Sequence, residues 1–144
     1  MLIKKFFLFF LLISLLSLTS CALFTSHYDA KRHENFTKLK ATHMKFFADW
    51  TVGSGQKWNK NKISRYCDNA DLRFREAFEF AKSKDDTDKT GQHAVKILWE
   101  EFNANCKLSL KRKKLFSHTF KEQLLSEIEK NYKFAISGEL ARIN

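Results

Sequence analysis

Residues 60–83 read KNKISRYCDNADLRFREAFEFAKS, and their apolar side chains return every three or four positions. The recurring positions are Ile63, Cys67, Ala70, Phe74, Phe78 and Ala81. An α-helix has 3.6 residues per turn, so this spacing places all of them on one helix face. The stretch therefore predicts a long helix that buries one face against the rest of the domain.

The same period appears in three other segments. Together they predict helices over roughly 31–50, 60–83, 90–107 and 117–136, and Thr119 with Glu122 fits a capping box near the start of the last one. The chain has no proline and only four glycines, so it carries few turn signals, and no segment alternates long enough to indicate a sheet. We predict an all-α fold, an up-and-down four-helix bundle formed by one domain over 31–144.

The start of the chain contains an apolar, uncharged run, unlike the helical segments that follow it. Residues 6–24 read FFLFFLLISLLSLTSCALF, without a charge, behind Lys4 and Lys5. A basic start, an apolar block and a small-residue region describe an export signal, although the run is also long enough to cross a bilayer. The tetrapeptide 18–21, Leu-Thr-Ser-Cys, resembles the lipobox of bacterial lipoprotein precursors.

The lipobox resemblance implies how the chain is processed and where it lies. Residues 1–20 would be a signal peptide that is removed, Cys21 would carry the palmitate-type acyl chains, and 21–30 would form the lipidated tether. Ala22 in place of Asp after the cysteine resembles the sorting pattern for the outer membrane, facing the periplasm. An uncleaved anchor and an ordinary signal peptide are the alternatives.

Cys67 and Cys106 lie at equal sequence distances, about 20 residues, on either side of the turn between the second and third helices. In an antiparallel hairpin, equal distances from the turn mean equal heights along the axis, so the two side chains can meet. Lipidation of Cys21 would leave these two thiols in an oxidising compartment. We predict a disulfide between the helices; two buried free thiols are the alternative.

Two basic segments lie in the connections of the predicted bundle. Alternate connections lie at the same end, so loops 51–59 and 107–115 are expected to share one pole, away from Asp85, Asp86 and Asp88. The candidate binding residues of this pole are Lys57, Trp58, Lys111, Arg112, Lys113 and Lys114, with Trp50 and Trp58 as apolar anchors. A solvated helix connection is the competing interpretation of the basic run.

These features predict a membrane-anchored envelope protein that binds another protein through its basic pole, as an inhibitory or assembly-accessory module. The alternative is a binder of anionic envelope lipid or polymer, such as lipopolysaccharide-type phosphates, because each basic residue near a charged surface contributes about 1 kcal/mol. An exported chain rarely meets nucleic acid, so we do not expect that partner.

Catalytic and metal-binding patterns are not visible in the sequence. The five histidines form no i,i+4 pair and no Cys/His ligand spacing, and no nucleophile–histidine constellation appears. The Gly-Ser-Gly of 53–55 with Lys57 departs from the phosphate-loop pattern, and Glu100 and Glu101 fit a solvated helix face. We expect no enzyme activity, metal or cofactor, and we interpret His43 as a hydrogen-bonded core residue.

Overall fold

The computed structural model describes residues 28–84 and 89–143, and helices account for most of them. Helical residues make up 84% of this described part, which contains no strand. The elements are α1 (Ala30–Asp49), α2 (Lys60–Lys84), α3 (Thr90–Arg112), α4 (His118–Leu140) and a short 3₁₀ turn (Ala141–Ile143). The prediction of an all-α bundle is confirmed.

The helices pack as neighbours in chain order. α1 lies against α2 and α4, and α2 lies against α3 along much of its length. The α3–α4 pair has the least contact of the four neighbouring pairs. Each helix therefore buries its apolar face against two others, which is the arrangement of an up-and-down bundle.

Aromatic side chains fill the centre of the bundle. Phe46, Phe74 and Phe102, from three different helices, are fully buried. The ring centroids of Phe74 and Phe102 are 5.1 Å apart, and those of Phe46 and Phe102 are 5.6 Å apart with the rings edge to face. Such pairs add about 0.5–1.5 kcal/mol beyond the burial of their area.

The predicted disulfide is present between α2 and α3. Cys67 and Cys106 are bonded, with their Cα atoms 6.1 Å apart, and both are buried. The bond joins residues at the same height along the two helices, as their equal distances from the turn required. It therefore fixes the register of α2 against α3.

α3 is longer than the sequence predicted: it ends at Arg112, where the prediction ended near 107. Leu108 and Leu110 pack against the core, and Ser109 is 1% exposed. Residues 107–112 contain neither glycine nor proline, so nothing stops the helix while its side chains still find core contacts. Half of the basic run is consequently helical.

The predicted capping box at the start of α4 is wrong. The N-cap is Ser117, whose side-chain oxygen accepts a hydrogen bond from the backbone N–H of Phe120 at 3.3 Å. Phe116 is held by backbone hydrogen bonds to the α1–α2 connection, so the helix begins directly after it. α4 also runs to Leu140, four residues beyond the predicted end.

Several predictions concern residues outside the described part. The signal peptide 1–20, acylation at Cys21 and most of the tether lie within residues 1–27. The acidic residues Asp85, Asp86 and Asp88 also lie outside it.

Candidate binding pole

The α1–α2 and α3–α4 connections meet at one end of the bundle. The backbone N–H of Val52 donates to the carbonyl of Phe116, and the N–H of Phe116 donates to the carbonyl of Trp50, both at 2.9 Å. These two bonds form an isolated β-bridge between Thr51 and Phe116. The shared pole that the topology predicted is therefore present, and its two loops are tied together.

Trp58 reinforces this junction. Its indole N–H donates to the backbone carbonyl of Ser109 at 3.2 Å, and its ring is half-buried against the core. This hydrogen bond joins the end of the α1–α2 connection to the last turns of α3. Trp58 thus holds the pole together and exposes only part of its ring.

Trp50 does not act as the exposed anchor that the sequence suggested. It is only 5% exposed and belongs to the hydrophobic core. Trp50 lies four residues after Phe46, so it continues the buried face of α1. The prediction that Trp50 acts as an apolar anchor for a partner is wrong for this reason.

Arg112 is also partly a structural residue. Its guanidinium carbon lies 4.5 Å from the ring centroid of Phe120 and 5.8 Å from that of Phe116. The side chain is half-buried, so it stacks on the start of α4. Cation–π contacts of this kind contribute about 0.5–2 kcal/mol, and they direct Arg112 inward.

Exposed lysines cover the rest of this end, and we call this surface the lysine pole. It consists of Lys57, Lys60, Lys62, Lys107, Lys111, Lys113 and Lys114. None of these lysines forms an ion pair within residues 28–84 and 89–143.

The charge of this end is strongly asymmetric. Segments 49–68 and 104–122 carry ten lysine and arginine residues and three acidic ones, which gives them a net charge of +7. The net charge of the whole chain is +10. Elsewhere, some exposed lysines pair with carboxylates on the same helix, such as Lys38 with Glu34 and Lys96 with Glu100 at 3.9 Å. Other exposed lysines, such as Lys130 and Lys133, have no ion pair within the described residues but lie apart from the pole. Most of the protein's unbalanced positive charge is therefore concentrated at one end.

The glycine connection is closed by hydrogen bonds of Ser54, which lies between its two glycines. Gly53 and Gly55 have φ values of 88° and 78°, a region that glycine enters without strain. The N–H of Ser54 donates to the Thr51 carbonyl, and its hydroxyl donates to the Asp49 carbonyl. These groups close the turn on itself, so they do not face a ligand.

His43 occupies the centre of the core, as predicted. Its Nε2 lies 3.1 Å from the amide nitrogen of Asn105, and its Nδ1 lies 3.4 Å from the hydroxyl of Tyr132. Because the amide nitrogen only donates, Nε2 accepts and Nδ1 carries the proton. Burial lowers the pKa of His43 to about 3, so the ring is neutral at physiological pH.

Glu101 differs from the predicted solvated face. It is half-buried and accepts hydrogen bonds from the Asn131 amide at 3.2 and 3.3 Å. Burial raises the pKa of this carboxyl, and the bonds from Asn131 oppose the rise. Glu101 thus serves the α3–α4 contact.

No cluster of three potential metal ligands is found in the described ranges 28–84 and 89–143. None of the helices in those ranges is long and apolar enough to cross a bilayer.

The sequence interpretation missed a buried ion pair between Arg32 of α1 and Glu139 of α4. The only sequence signal was that Arg32 lies four residues before Phe36 on the apolar stripe of α1. Glu139 fell beyond the predicted end of the last helix, so its partner was not apparent.

Comparisons of the chain with protein-family models, with curated proteins and with solved structures found no match.

Proposed function

We propose that this chain is a lipid-anchored envelope protein that binds an anionic partner through its lysine pole. The observation that carries the proposal is the set of seven exposed lysines without an ion pair among the described residues. Holding so many like charges together lowers stability through self-repulsion. An anionic partner would relieve that repulsion on binding.

The position of the tether supports an outward-facing pole. α1 begins at the end opposite the lysine pole, and its 20 residues span about 30 Å. If Cys21 is acylated, the anchor joins the end of the bundle that lies away from the lysines. The pole then projects from the membrane toward components of the surrounding compartment.

An acidic protein surface is the partner that this arrangement fits best. Opposite charges steer encounter and speed association, and that effect falls as salt is added. The fixed junction through Trp58 and the β-bridge keeps the two halves of the pole in one arrangement, so binding would not need to order the two loops. The module would act by occupying a partner in the envelope, in an inhibitory or assembly role.

An anionic polymer of the envelope is the second candidate, and one observation favours it. Val52, 51% exposed, is the only exposed large apolar side chain at this end of the described structure, because Trp50 is buried and Trp58 is half-buried. Protein interfaces are enriched in aromatic anchors and depleted in lysine. A polymer of repeated phosphates or carboxylates can be bound by the charges of lysine side chains alone, without an aromatic anchor.

Charge reversal tests the pole. Lys111, Lys113 and Lys114 are replaced together by Glu, while Arg112 is left in place because its stacking on Phe120 is structural. The matched control reverses Lys82, Lys130 and Lys133, which are also exposed and lie away from the pole. Both full-length variants are cross-linked in cells, and their adducts are compared with those of the unmodified chain.

We expect the pole variant to lose its adducts and the control to keep them, while circular dichroism shows that both variants remain folded and helical. Retention of all adducts by the pole variant would refute the binding role. Co-sedimentation with purified cell-wall polymer separates the two partner classes: salt-sensitive sedimentation that the pole variant loses favours the polymer.

Acylation is tested separately at Cys21. Cys21→Ser should abolish incorporation of labelled palmitate and leave unprocessed precursor in the membrane fraction. Normal cleavage after Ser20 and release of that variant would show that an ordinary signal peptidase acts, and the lipid anchor would be rejected.

A further inference from the structure

An apolar groove lies between α3 and α4 at the end of the bundle opposite the lysine pole. Its volume is about 350 Å³, and Phe36 of α1 lines it. The sides include Ala94 and Ile97 of α3 and Phe134 and Ala135 of α4. Ile97 is 43% exposed and Phe134 is 67% exposed, so two large apolar side chains of the groove face solvent.

The chain enters the bundle at the mouth of this groove. The backbone N–H of Asp29 donates to Oε1 of Glu139 at 2.7 Å, and Glu139 itself lines the groove. The residues that precede Tyr28 therefore continue from this point. Among them, residues 22–24 read Ala-Leu-Phe, an uncharged apolar segment.

We propose that the segment 22–24 docks in the α3–α4 groove, with Leu23 and Phe24 covering Ile97 and Phe134. Five residue steps separate Phe24 from Asp29, and an extended chain covers about 17 Å in that distance. The groove wall from Gly91 to Leu98 is about 10 Å long at 1.5 Å per residue. The connecting chain is therefore long enough for Leu23 and Phe24 to reach the apolar lining of the groove.

Burial of apolar area drives this docking. A phenylalanine side chain buries on the order of 150–250 Å² when it is enclosed, and the groove offers apolar walls on two helices and a phenylalanine from a third. The docked segment would hold the start of the tether against the domain. The anchor would then stay at this end, which keeps the lysine pole turned outward.

The docking rests on the proposed removal of residues 1–20, because an uncleaved run 6–24 would hold Leu23 and Phe24 in a bilayer. Residues 22–24 follow Cys21, so cleavage after Ser20 leaves them in the chain. The docking does not depend on partner binding, so its failure and the failure of the lysine pole are distinguishable.

Cysteine cross-linking in the full-length chain tests the docking. One variant combines Phe24→Cys with Ile97→Cys, and the matched control combines Phe24→Cys with Leu72→Cys. Leu72 is 55% exposed on α2. The Cys67–Cys106 bond sets position 76 of α2 opposite position 97 of α3, so Leu72 lies within about one turn of the height of Ile97.

Both variants are oxidised with copper-phenanthroline at low protein concentration, and the bonds are mapped by mass spectrometry. We expect positions 24 and 97 to link at least tenfold faster than positions 24 and 72. Phe134→Cys provides a second groove position with the same expectation, in case Ile97→Cys perturbs folding. Equal rates for groove and control positions would overturn the proposal.

Two further results also test whether the segment 22–24 docks in the groove. With Leu23→Ser added, a slower 24–97 bond supports docking through the apolar segment, whereas an unchanged rate means that its apolar side chains do not hold it in the groove and contradicts the proposal. Bonds that form only between two molecules would show that a second copy occupies the groove, and would overturn it as well.

Discussion

Arg32 and Glu139 form an ion pair inside the bundle although 107 residues separate them in sequence. Arg32 Nη1 lies 3.4 Å from Glu139 Oε2, and the two side chains are 4% and 2% exposed. The pair joins the first turn of α1 to the last turn of α4. Gly91 of α3 completes the site, because a Cβ there would lie 2.9 Å from Arg32 Nη1.

Removal of Glu139 should destabilise the protein strongly. Glu139→Ala leaves the Arg32 charge buried without this carboxylate, and breaking one side of a buried pair costs about 3–5 kcal/mol. The double variant Arg32→Met with Glu139→Leu should recover most of the loss, since it buries no charge. Urea denaturation measures both free energies of unfolding.

The exposed pair between Lys96 and Glu100 provides the control. Glu100→Ala should leave the free energy of unfolding nearly unchanged, because exposed pairs contribute at most about 1 kcal/mol. A loss below about 1 kcal/mol for Glu139→Ala would contradict the account of a buried charge.

The regular parts of the fold follow directly from apolar spacing. Ile63 to Ala81 in α2 keep steps of three and four, so both the helix and its buried face were predictable. Cys67 and Cys106 were predictable as a pair because helix geometry converts equal sequence distances into equal heights. The shared pole followed from topology alone.

The contacts that depend on tertiary structure were not predictable. The hydrogen bond from the Phe116 N–H to the Trp50 carbonyl joins two loops, and no apolar spacing in the sequence indicates it. In the sequence, Arg112 is one member of a basic run. In the structure, its guanidinium stacks on the ring of Phe120. Such contacts join residues that no periodicity relates.

His43 should make stability depend on pH. Its pKa is lowered to about 3 in the folded protein, whereas the unfolded chain binds a proton near pH 6.5. Below pH 6.5 the unfolded state therefore binds the extra proton, and the free energy of unfolding falls by about 1.4 kcal/mol for each pH unit down to about pH 3. Above pH 7 this contribution is constant.

Comparison with His43→Gln isolates this effect from the other titrating groups. The difference in unfolding free energy between the unmodified protein and the variant should slope between pH 3.5 and 6 and be flat above 7. A flat difference for His43→Gln would mean that the buried ring is protonated in the folded protein.

The disulfide should stabilise the protein by restricting the unfolded chain. Cys67 and Cys106 are separated by 39 residues, and closure of such a loop contributes roughly 3–4 kcal/mol in the chain-entropy model. Cys67→Ser with Cys106→Ser should lower the free energy of unfolding by about that amount. Mass spectrometry without reduction should find no free thiol at either position, and two alkylatable thiols in freshly extracted protein would contradict the bond.

A position-by-position photo-cross-linking scan in living cells tests whether the lysine pole binds an anionic partner. A photoreactive residue replaces Lys57, Lys111 and Lys114 at the lysine pole, one at a time, and Leu72 and Lys133 elsewhere, all of them exposed. We predict that the three pole positions give the same adduct and that Leu72 and Lys133 give none of it. Raised salt during cross-linking of isolated envelopes should reduce the yield of that adduct. Equal adduct formation at Leu72 and Lys133, or an adduct indifferent to salt, would contradict the claim that the lysine pole binds an anionic partner.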